Sequence, residues 1–319
     1  MNFSIMKVYY TLPFLFLMIL SSCSKEVQID LPGYQEQIVI DGSIELGQPA
    51  IVLLSKSADI YSPTNLEAYL GNFISGANVV VSDGNTLDTL IEICTDNLPP
   101  GTEEIAAAFF GIPIEQLTSL NLCGYFSSNM IGVEGRSYEL TVNVNNDVFT
   151  ATTQIGEPTA LDSLYWKPEG NLENHGFSWA KLSDPQGVYD AYLWEVQKLN
   201  IQDNGTQDPL SYKTFNPYFD DAFFDGLSFE FAYENPISFQ DSSVEDQFRG
   251  YYEIGDTILV KLSKLGRDEY NFFEKKYNQI YTAGNPFATP TNIPSNIEGG
   301  ALGIWVGYAS WSDTLVCQP

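Results

Sequence analysis

Residues 137–153 have the sequence Ser137-Tyr-Glu-Leu-Thr-Val-Asn-Val144, Asn145-Asn-Asp147, Val148-Phe-Thr-Ala-Thr-Thr153. Both flanks are rich in β-branched and aromatic residues, and the first flank alternates between polar and apolar side chains. The three central residues are of kinds that tight turns favour. The stretch therefore predicts a β-hairpin and indicates a mainly β fold.

Other short strand signals around this hairpin indicate a first β-sandwich over residues 38–156. They occur at 37–44, 50–54, 77–84 and 87–93. About seven short strands with regular turns are typical of an immunoglobulin-like or transthyretin-like sandwich. Residues 95–122 differ, because two helical patterns within them predict a small helical insert: 103–109 and 114–120.

The second half of the chain predicts another sandwich, fibronectin-III-like, over residues 157–319. Strand signals occur at 188–196 and 256–262, and a closing strand pair is expected at 301–309 and 314–316. Residues 265–283 predict an amphipathic helix, since its large apolar side chains recur every three or four positions: Tyr270, Phe273, Tyr277 and Ile280.

An acidic and aromatic insertion, residues 199–248, carries ten acidic side chains against one base, Lys213. Long loops inside a domain are usually functional or mobile. The candidate binding residues here are Asp220, Asp221, Asp225, Phe223 and Phe224. The three aspartates are a weak calcium candidate, because calcium takes oxygen ligands but the alternating pattern of a calcium loop is missing. The alternative is a solvated loop held by aromatic anchors.

Two tryptophans near the C-terminus, Trp305 and Trp311, are further candidate binding residues. Large rigid rings provide contact area for a ligand such as a glycan at low entropic cost. The alternative is that both tryptophans belong to the core and edge of the last strand.

The composition excludes several classes of function. The chain has 14 basic and 41 acidic residues and a net charge of -27, which argues against nucleic-acid binding because phosphates require a basic surface. The single histidine, His175, leaves little room for histidine metal sites or general bases. We find no nucleophile elbow, phosphate loop or metalloprotease motif. We therefore expect a non-catalytic protein without a cofactor, calcium aside.

The N-terminus has the features of an exported protein. Residues 1–22 combine a basic start, a short apolar run and small residues, as in a secretory signal peptide. Leu20-Ser-Ser-Cys23 resembles a bacterial lipobox, which implies cleavage before Cys23 and lipid attachment to it. Ordinary cleavage beside an incidental cysteine is the alternative. Residues 23–37 are expected to link the lipid to the folded body.

An exported chain can form disulfides. Cys94 ends one strand signal and Cys123 begins another, so we expect a Cys94–Cys123 bridge across the base of the insert. Two buried thiols are the alternative. Cys317 has no obvious partner.

A C-terminal phrase carries a resemblance to a known family. Gly284-Asn-Pro-Phe-Ala-Thr-Pro-Thr-Asn-Ile-Pro-Ser-Asn-Ile-Glu-Gly-Gly300, followed by Ala301-Leu-Gly-Ile-Trp-Val-Gly-Tyr308, resembles the closing signature of the Bacteroidota lipoprotein family known as domain of unknown function 4249. Shorter pieces match in order, among them Asp184-Pro-Gln-Gly187 and Phe224-Asp-Gly226.

The resemblance implies an outer-membrane lipoprotein, often encoded beside TonB-dependent transporters, with no established activity. The expected function is an accessory or ligand-binding component that works with such a transporter in nutrient uptake. The alternatives are a free-standing adhesin or glycan-binding module, and an enzyme of unrecognised type. The expected partners are the membrane, through the lipid anchor, the transporter, and a small molecule, peptide or glycan. The periplasmic and cell-surface faces both stay open, with the surface slightly favoured.

Overall fold

Two asparagines make the turn of the predicted hairpin over residues 137–153. The computed structural model describes residues 35–58, 72–110, 112–117, 120, 122–202, 205–282 and 292–318. In it, Ser137–Val144 pairs antiparallel with Asp147–Gln154, from Ser137 opposite Gln154 to Val144 opposite Asp147. Asn145 and Asn146 have φ of 50° and 76°, as a two-residue hairpin turn requires. The hairpin is confirmed.

The chain is mainly β, as predicted. The strands are β1 Ile38–Glu45, β2 Pro49–Lys56, β3 Asn78–Ser82, β4 Leu87–Thr89, β5 Ile91–Cys94, β6 Cys123–Ile131, β7 Ser137–Val144, β8 Asp147–Gln154, β9 Ser163–Glu169, β10 Leu172–Ser183, β11 Ala191–Lys198, β12 Tyr212–Asp220, β13 Ser228–Tyr233, β14 Tyr252–Glu253, β15 Thr257–Leu265 and β16 Leu302–Val316. The α-helices are α1 Glu103–Phe110, α2 Ile114–Leu117 and α3 Arg267–Thr282.

The strands form three sheets in the described part of the chain. The largest has eight strands in the order β12-β11-β15-β16-β1-β2-β6-β5. A second sheet has the order β4-β3-β7-β8, and a third has the order β13-β10-β14 with β9 also paired to β10.

The eight-stranded sheet contributes to two sandwich cores. At one end, Val52, Tyr125 and Trp305 pack against Val81 and Leu140 of the second sheet. At the other end, Trp194, Val260 and Leu315 pack with Trp166 and Leu182 of the third sheet. Helix α3 covers the opposite face, where Phe272 and Phe273 meet Leu193, Ile304 and Val306. Period-two alternation along each strand explains why successive residues enter different layers.

Strand β16 joins the two halves of the chain. It pairs parallel with β1, with Trp305 opposite Gly42, and antiparallel with β15, with Trp311 opposite Leu262. The predicted boundary between residues 156 and 157 therefore separates strands that lie in one sheet. Residues 36–319 group as one compact unit.

Two local predictions were wrong. The expected strand pair at 301–309 and 314–316 is the single strand β16, because residues 310–313, which are polar apart from Trp311, stay paired to β15. The expected insertion, 199–248, contains β12 and β13 rather than a loop alone. Aromatic side chains of these strands, among them Phe219, Phe229 and Phe231, are half-buried against the second core. The alternation along β13 is itself a strand pattern, and the many acidic residues of the segment led instead to its interpretation as an insertion.

The insert and its bridge are confirmed. Cys94 and Cys123 lie directly opposite each other in β5 and β6 and form a disulfide, with Cα atoms 4.1 Å apart. Helices α1 and α2 lie between them and pack around Ala107 and Leu117. Cys317 is buried and unbridged, and burial raises the pKa of its thiol to about 12.

The predicted signal peptide, Cys23 and the linker up to residue 34 lie outside the described residues. Within the described ranges, no helix is long and apolar enough to cross a membrane.

Candidate functional site

Two of the short motifs found in the sequence bind each other. Asp184-Pro-Gln-Gly187 follows β10, and Phe224-Asp-Gly226 precedes β13. The main-chain N–H of Gly187 donates to the Asp225 carboxylate at 2.6 Å, and that of Gly226 donates to the Asp184 carboxylate at 3.2 Å. The two loops thus form one acidic corner at the end of the second sandwich.

A third carboxylate completes this acidic corner of Asp184, Asp221 and Asp225. Asp221 accepts the main-chain N–H of Asp190 at 2.9 Å. One oxygen from each of the three carboxylates lies within 4.8 Å of the others, and Asp184 and Asp221 are buried. These are the ligand atoms that a hard cation such as calcium would use.

The predicted calcium set is only partly brought together. Asp221 and Asp225 meet, but Asp184 takes the place expected for Asp220. The carboxylate of Asp220 instead accepts the hydroxyl of Tyr189 at 3.4 Å. The sequence could not reveal Asp184 as the third member, because it lies 37 positions before Asp221.

A buried ion pair lies behind the corner. Asp190 is 0% exposed, and its carboxylate meets the Lys264 ammonium at 2.5 Å. Burial is the main cause that raises the pKa of Asp190; Lys264 opposes this, and the Asp184 and Asp221 carboxylates add to it. The Tyr192 hydroxyl donates to Asp184 at 2.8 Å and ties the pair to the corner.

A cleft of about 660 Å³ opens beside this ion pair, between the two halves of the chain. One wall is the end of β8, at Thr152, Thr153 and Gln154. The other wall is formed by the segment before β11, by the end of β15 and by the start of α3, including Tyr189, Asp190, Lys264 and Glu269. Ligand clefts in proteins have volumes of about 300–1,000 Å³. This cleft, with the acidic corner beside it, is the candidate functional site.

Glu269 connects the walls of the cleft. It lies in the first turn of α3 and accepts the Thr153 hydroxyl at 2.7 Å, while Thr153 accepts the main-chain N–H of Gly307 at 2.8 Å. Burial raises the pKa of Glu269, and the neighbouring Asp268 adds to the effect. Acidic groups at a helix start were visible in the sequence. The contact with Thr153 was not, because the two residues are 116 positions apart.

The predicted aromatic residues divide between core and surface. Trp305 is 0% exposed, and its indole N–H donates to the Tyr138 carbonyl at 3.0 Å. A fully buried ring offers no surface, so the candidate binding role of Trp305 is wrong. Trp311 and Phe224 are half-buried against the second core. Phe223 is 96% exposed and is the one of these four that presents its ring to solvent.

The described part of the C-terminal phrase, residues 292–300, also has a structural role. The amide of Asn296 accepts the main-chain N–H of Trp305 at 2.9 Å and donates to its carbonyl at 2.8 Å. Glu298 pairs with Thr150 at the edge of the second sheet. These contacts indicate that this loop holds β16 in place. Residues 283–291 of the same phrase lie outside the described ranges.

A separate pocket contains the single histidine. It has a volume of about 420 Å³ and is lined in part by His175, Phe248 and the ion pair of Lys198 with Asp256. The rings of His175 and Phe248 stack with centroids 4.0 Å apart. Nothing in the sequence pattern pointed to this pocket.

Comparison with known proteins identifies the family of the chain. A family model described as "Domain of unknown function (DUF4249)" matches residues 24–313. No curated protein matches the chain.

Proposed function

The chain belongs to the DUF4249 family, and we propose that it is a non-catalytic outer-membrane lipoprotein that binds a partner or ligand as an accessory component of a TonB-dependent transporter. The observation that carries the binding role is the 660 Å³ cleft between the two halves of the chain. Clefts of this size are common binding sites.

The acidic corner supports binding rather than chemistry. The Asp184 and Asp225 carboxylates each accept a main-chain N–H of the opposite loop, and Asp221 accepts that of Asp190. Such carboxylates position the loops that border the cleft. Their contribution is a fixed shape, which lowers the ordering cost of binding.

The membrane placement rests on the lipobox-like Leu20-Ser-Ser-Cys23. A lipid on Cys23 would hold the body beside an outer-membrane partner and raise the effective concentration of each for the other. A modest intrinsic affinity would then be sufficient for association.

Native co-purification tests the proposal. The chain carries a C-terminal affinity tag, is expressed in its own host and is purified from gently solubilised outer membranes. We expect a β-barrel transporter to co-purify, and we expect a fatty-acid label on the wild type and on Cys317→Ser but not on Cys23→Ser. Repeated absence of any β-barrel partner would reject the accessory role. An unlabelled wild type would reject the lipid anchor.

One observation favours an enzyme as a second candidate function. The cleft is lined by two buried acids, Asp190 and Glu269, and burial raises the pKa of both. Buried acids with raised pKa values are also found in the active sites of glycoside hydrolases. Turnover of a panel of nitrophenyl glycosides that Glu269→Gln abolishes, with folding intact, would favour this candidate. No turnover across the panel would count against it.

A further inference from the structure

Strand β8 is an edge strand of its sheet, and its outer side is only partly covered. At Thr150 the main chain exchanges two hydrogen bonds with Glu298, of 3.3 Å and 2.7 Å. The main-chain groups of Thr150 therefore point away from β7. Because outward and inward positions alternate along an antiparallel strand, the N–H and C=O of Thr152 point the same way.

The segment around Glu298 that covers β8 at Thr150 turns away from β8 before it reaches Thr152. Continued antiparallel pairing from Thr150 and Glu298 would place Asn296 opposite Thr152. Asn296 instead binds the main chain of Trp305 with both ends of its side-chain amide. Within the described ranges, the outer side of β8 is paired only at Thr150.

The uncovered position opens into the cleft, because Thr152 and Gln154 line it. An edge with free main-chain groups is a template on which an extended chain can add as a strand. Most edge strands are exposed to bulk water. At Thr152 the facing wall lies across a cleft and can contact the side chains of an added strand.

The charge of the cleft defines which side chains suit it. Among the described residues that line it, the acids are Glu157, Asp190 and Glu269, and Lys264 carries the ammonium group. Lys264 is already paired with Asp190. Glu157, which is exposed, and Glu269, which is buried, have no ion-pair partner in that part of the chain. A partner segment with a basic side chain is therefore complementary in charge.

We propose that the cleft binds an extended basic peptide segment of a partner protein, which adds as a strand to the β8 edge at Thr152 and presents a Lys or Arg side chain to Glu157 and Glu269. The inference rests on the proposed function for the source of the segment, the transporter partner. Main-chain hydrogen bonds provide the affinity in this mode, and the basic side chain provides the selectivity.

Three labelled pentapeptides test the proposal by fluorescence anisotropy. The probe is acetyl-Thr-Lys-Thr-Lys-Thr-amide. One analogue carries N-methyl groups on alternate amides and keeps both charges, and the other has Glu in place of each Lys. We expect saturable binding of the probe, at least tenfold weaker binding of the N-methylated peptide, and no measurable binding of the acidic peptide. Equal binding of the first two, or no binding of the probe at millimolar concentration, would overturn the proposal.

Variants of the chain locate the site. Glu157→Gln should weaken probe binding severalfold. The matched control is Glu139→Gln, because Glu139 is exposed and pairs with Thr152 across β7 and β8 without lining the cleft. Thr152→Pro removes the main-chain donor and should abolish binding, while Thr152→Val keeps the donor and should bind like the wild type. If Thr152→Pro fails to fold, the N-methylated peptide still decides the question.

The co-purification experiment separates this inference from the proposed function. If a β-barrel partner co-purifies equally with the wild type and with a folded Thr152→Pro chain, the cleft inference fails and the accessory role stands. If the probe binds as expected but no barrel co-purifies, the peptide site stands and the transporter as its source fails.

Discussion

Asp184 and Asp225 each accept a main-chain N–H from the glycine that ends the other's motif, at 3.2 Å from Gly226 and 2.6 Å from Gly187. This reciprocal arrangement gives a physical reason for the residue types in both motifs. Each loop needs a short carboxylate to accept, and its donating residue is a glycine because the backbone there has a positive φ, 78° at Gly187 and 71° at Gly226. A substitution in one motif should therefore require a matching substitution in the other.

Gly226→Ala should disrupt this arrangement. Gly226 has φ of 71°, and an added Cβ would lie 2.8 Å from the Cβ of Gln186. Backbone strain and the clash together should lower the free energy of unfolding by about 2–4 kcal/mol, measured by urea denaturation. Gly84→Ala is the matched control, because Gly84 has φ of 85° but open space around it. Equal losses in both variants would show that the contact with Gln186 is unimportant.

Removing the ammonium group of Lys264 should be costly. Lys264→Met leaves the fully buried Asp190 without its ion-pair partner, and we expect a loss of about 3–5 kcal/mol in the free energy of unfolding. The double variant Asp190→Asn, Lys264→Met removes the buried charge as well and should recover much of the loss. A double variant as unstable as the single one would contradict this account.

A row of ion pairs across the eight-stranded sheet should make the stability of the protein depend on pH. Glu195 meets Lys261 at 3.1 Å and Lys213 at 3.3 Å. Burial alone would raise the pKa of Glu195, but the two ammonium groups outweigh it and hold that pKa at about 2. Because this value lies below the ordinary value of 4.5, the contribution of Glu195 is complete above pH 4.5 and is lost as the pH falls towards 2.

Urea denaturation of the wild type and of Glu195→Gln at pH 7, 5 and 3 measures this contribution. The stability difference between the two proteins should be largest at pH 7 and should shrink as the pH falls to 3. Glu139→Gln serves as the exposed control and should show no such trend. A difference that stays constant over this range would reject the role of the Glu195 charge.

The two tryptophans should differ in what they contribute. Trp305→Ala removes a fully buried ring and its hydrogen bond to Tyr138, so we expect a loss of about 3–5 kcal/mol in the free energy of unfolding. Trp311 is half-buried against the second core, and Trp311→Ala should cost clearly less. Thermal and urea unfolding of both variants checks this order. The reverse order would contradict the placement of Trp305 in the core.

The disulfide should stabilise the helical insert and the sheet edge that carries it. Replacing Cys94 and Cys123 by serine should lower the free energy of unfolding by about 3–4 kcal/mol, because the bridge closes a loop between residues 29 positions apart. Reduced wild type should behave like the double variant in the same measurement. Unchanged stability in both would show that the bridge does not constrain the unfolded chain.

The sequence allowed the local parts of the fold to be predicted and missed the long-range ones. The hairpin at 137–153, helix α3 and the disulfide depend on patterns within a few dozen residues. The pairing of β1 with β16 joins Gly42 to Trp305, and no local periodicity reports a contact across that separation. Residues 310–313, which are polar apart from Trp311, concealed the length of β16 for the same reason, since their partners on β15 are distant in sequence.

The candidate site was predictable only in fragments. Asp221, Asp225 and the motif at Asp184 were each visible, but their meeting depends on how β10 and β13 pair. The cleft depends on Thr153 and Glu269, which belong to different halves of the chain. For Trp305 the sequence left a binding surface and the core both open, because an aromatic residue among glycines fits either, and the structure places it in the core.

The pairing of β1 with the sequence-distant β16 has a consequence for biogenesis. Strand β1, near the start of the folded body, has β16 as its neighbour, and Trp305 of β16 fills the first core. The chain is synthesised from its N-terminus, so β1 emerges long before β16. The first sandwich therefore cannot close until residues 302–316 are available, and the exposed edge of β1 has to be kept from mispairing until then. We expect folding to depend on chaperones during this interval, and we expect a chain truncated before β16 to be degraded rather than to accumulate as a folded half.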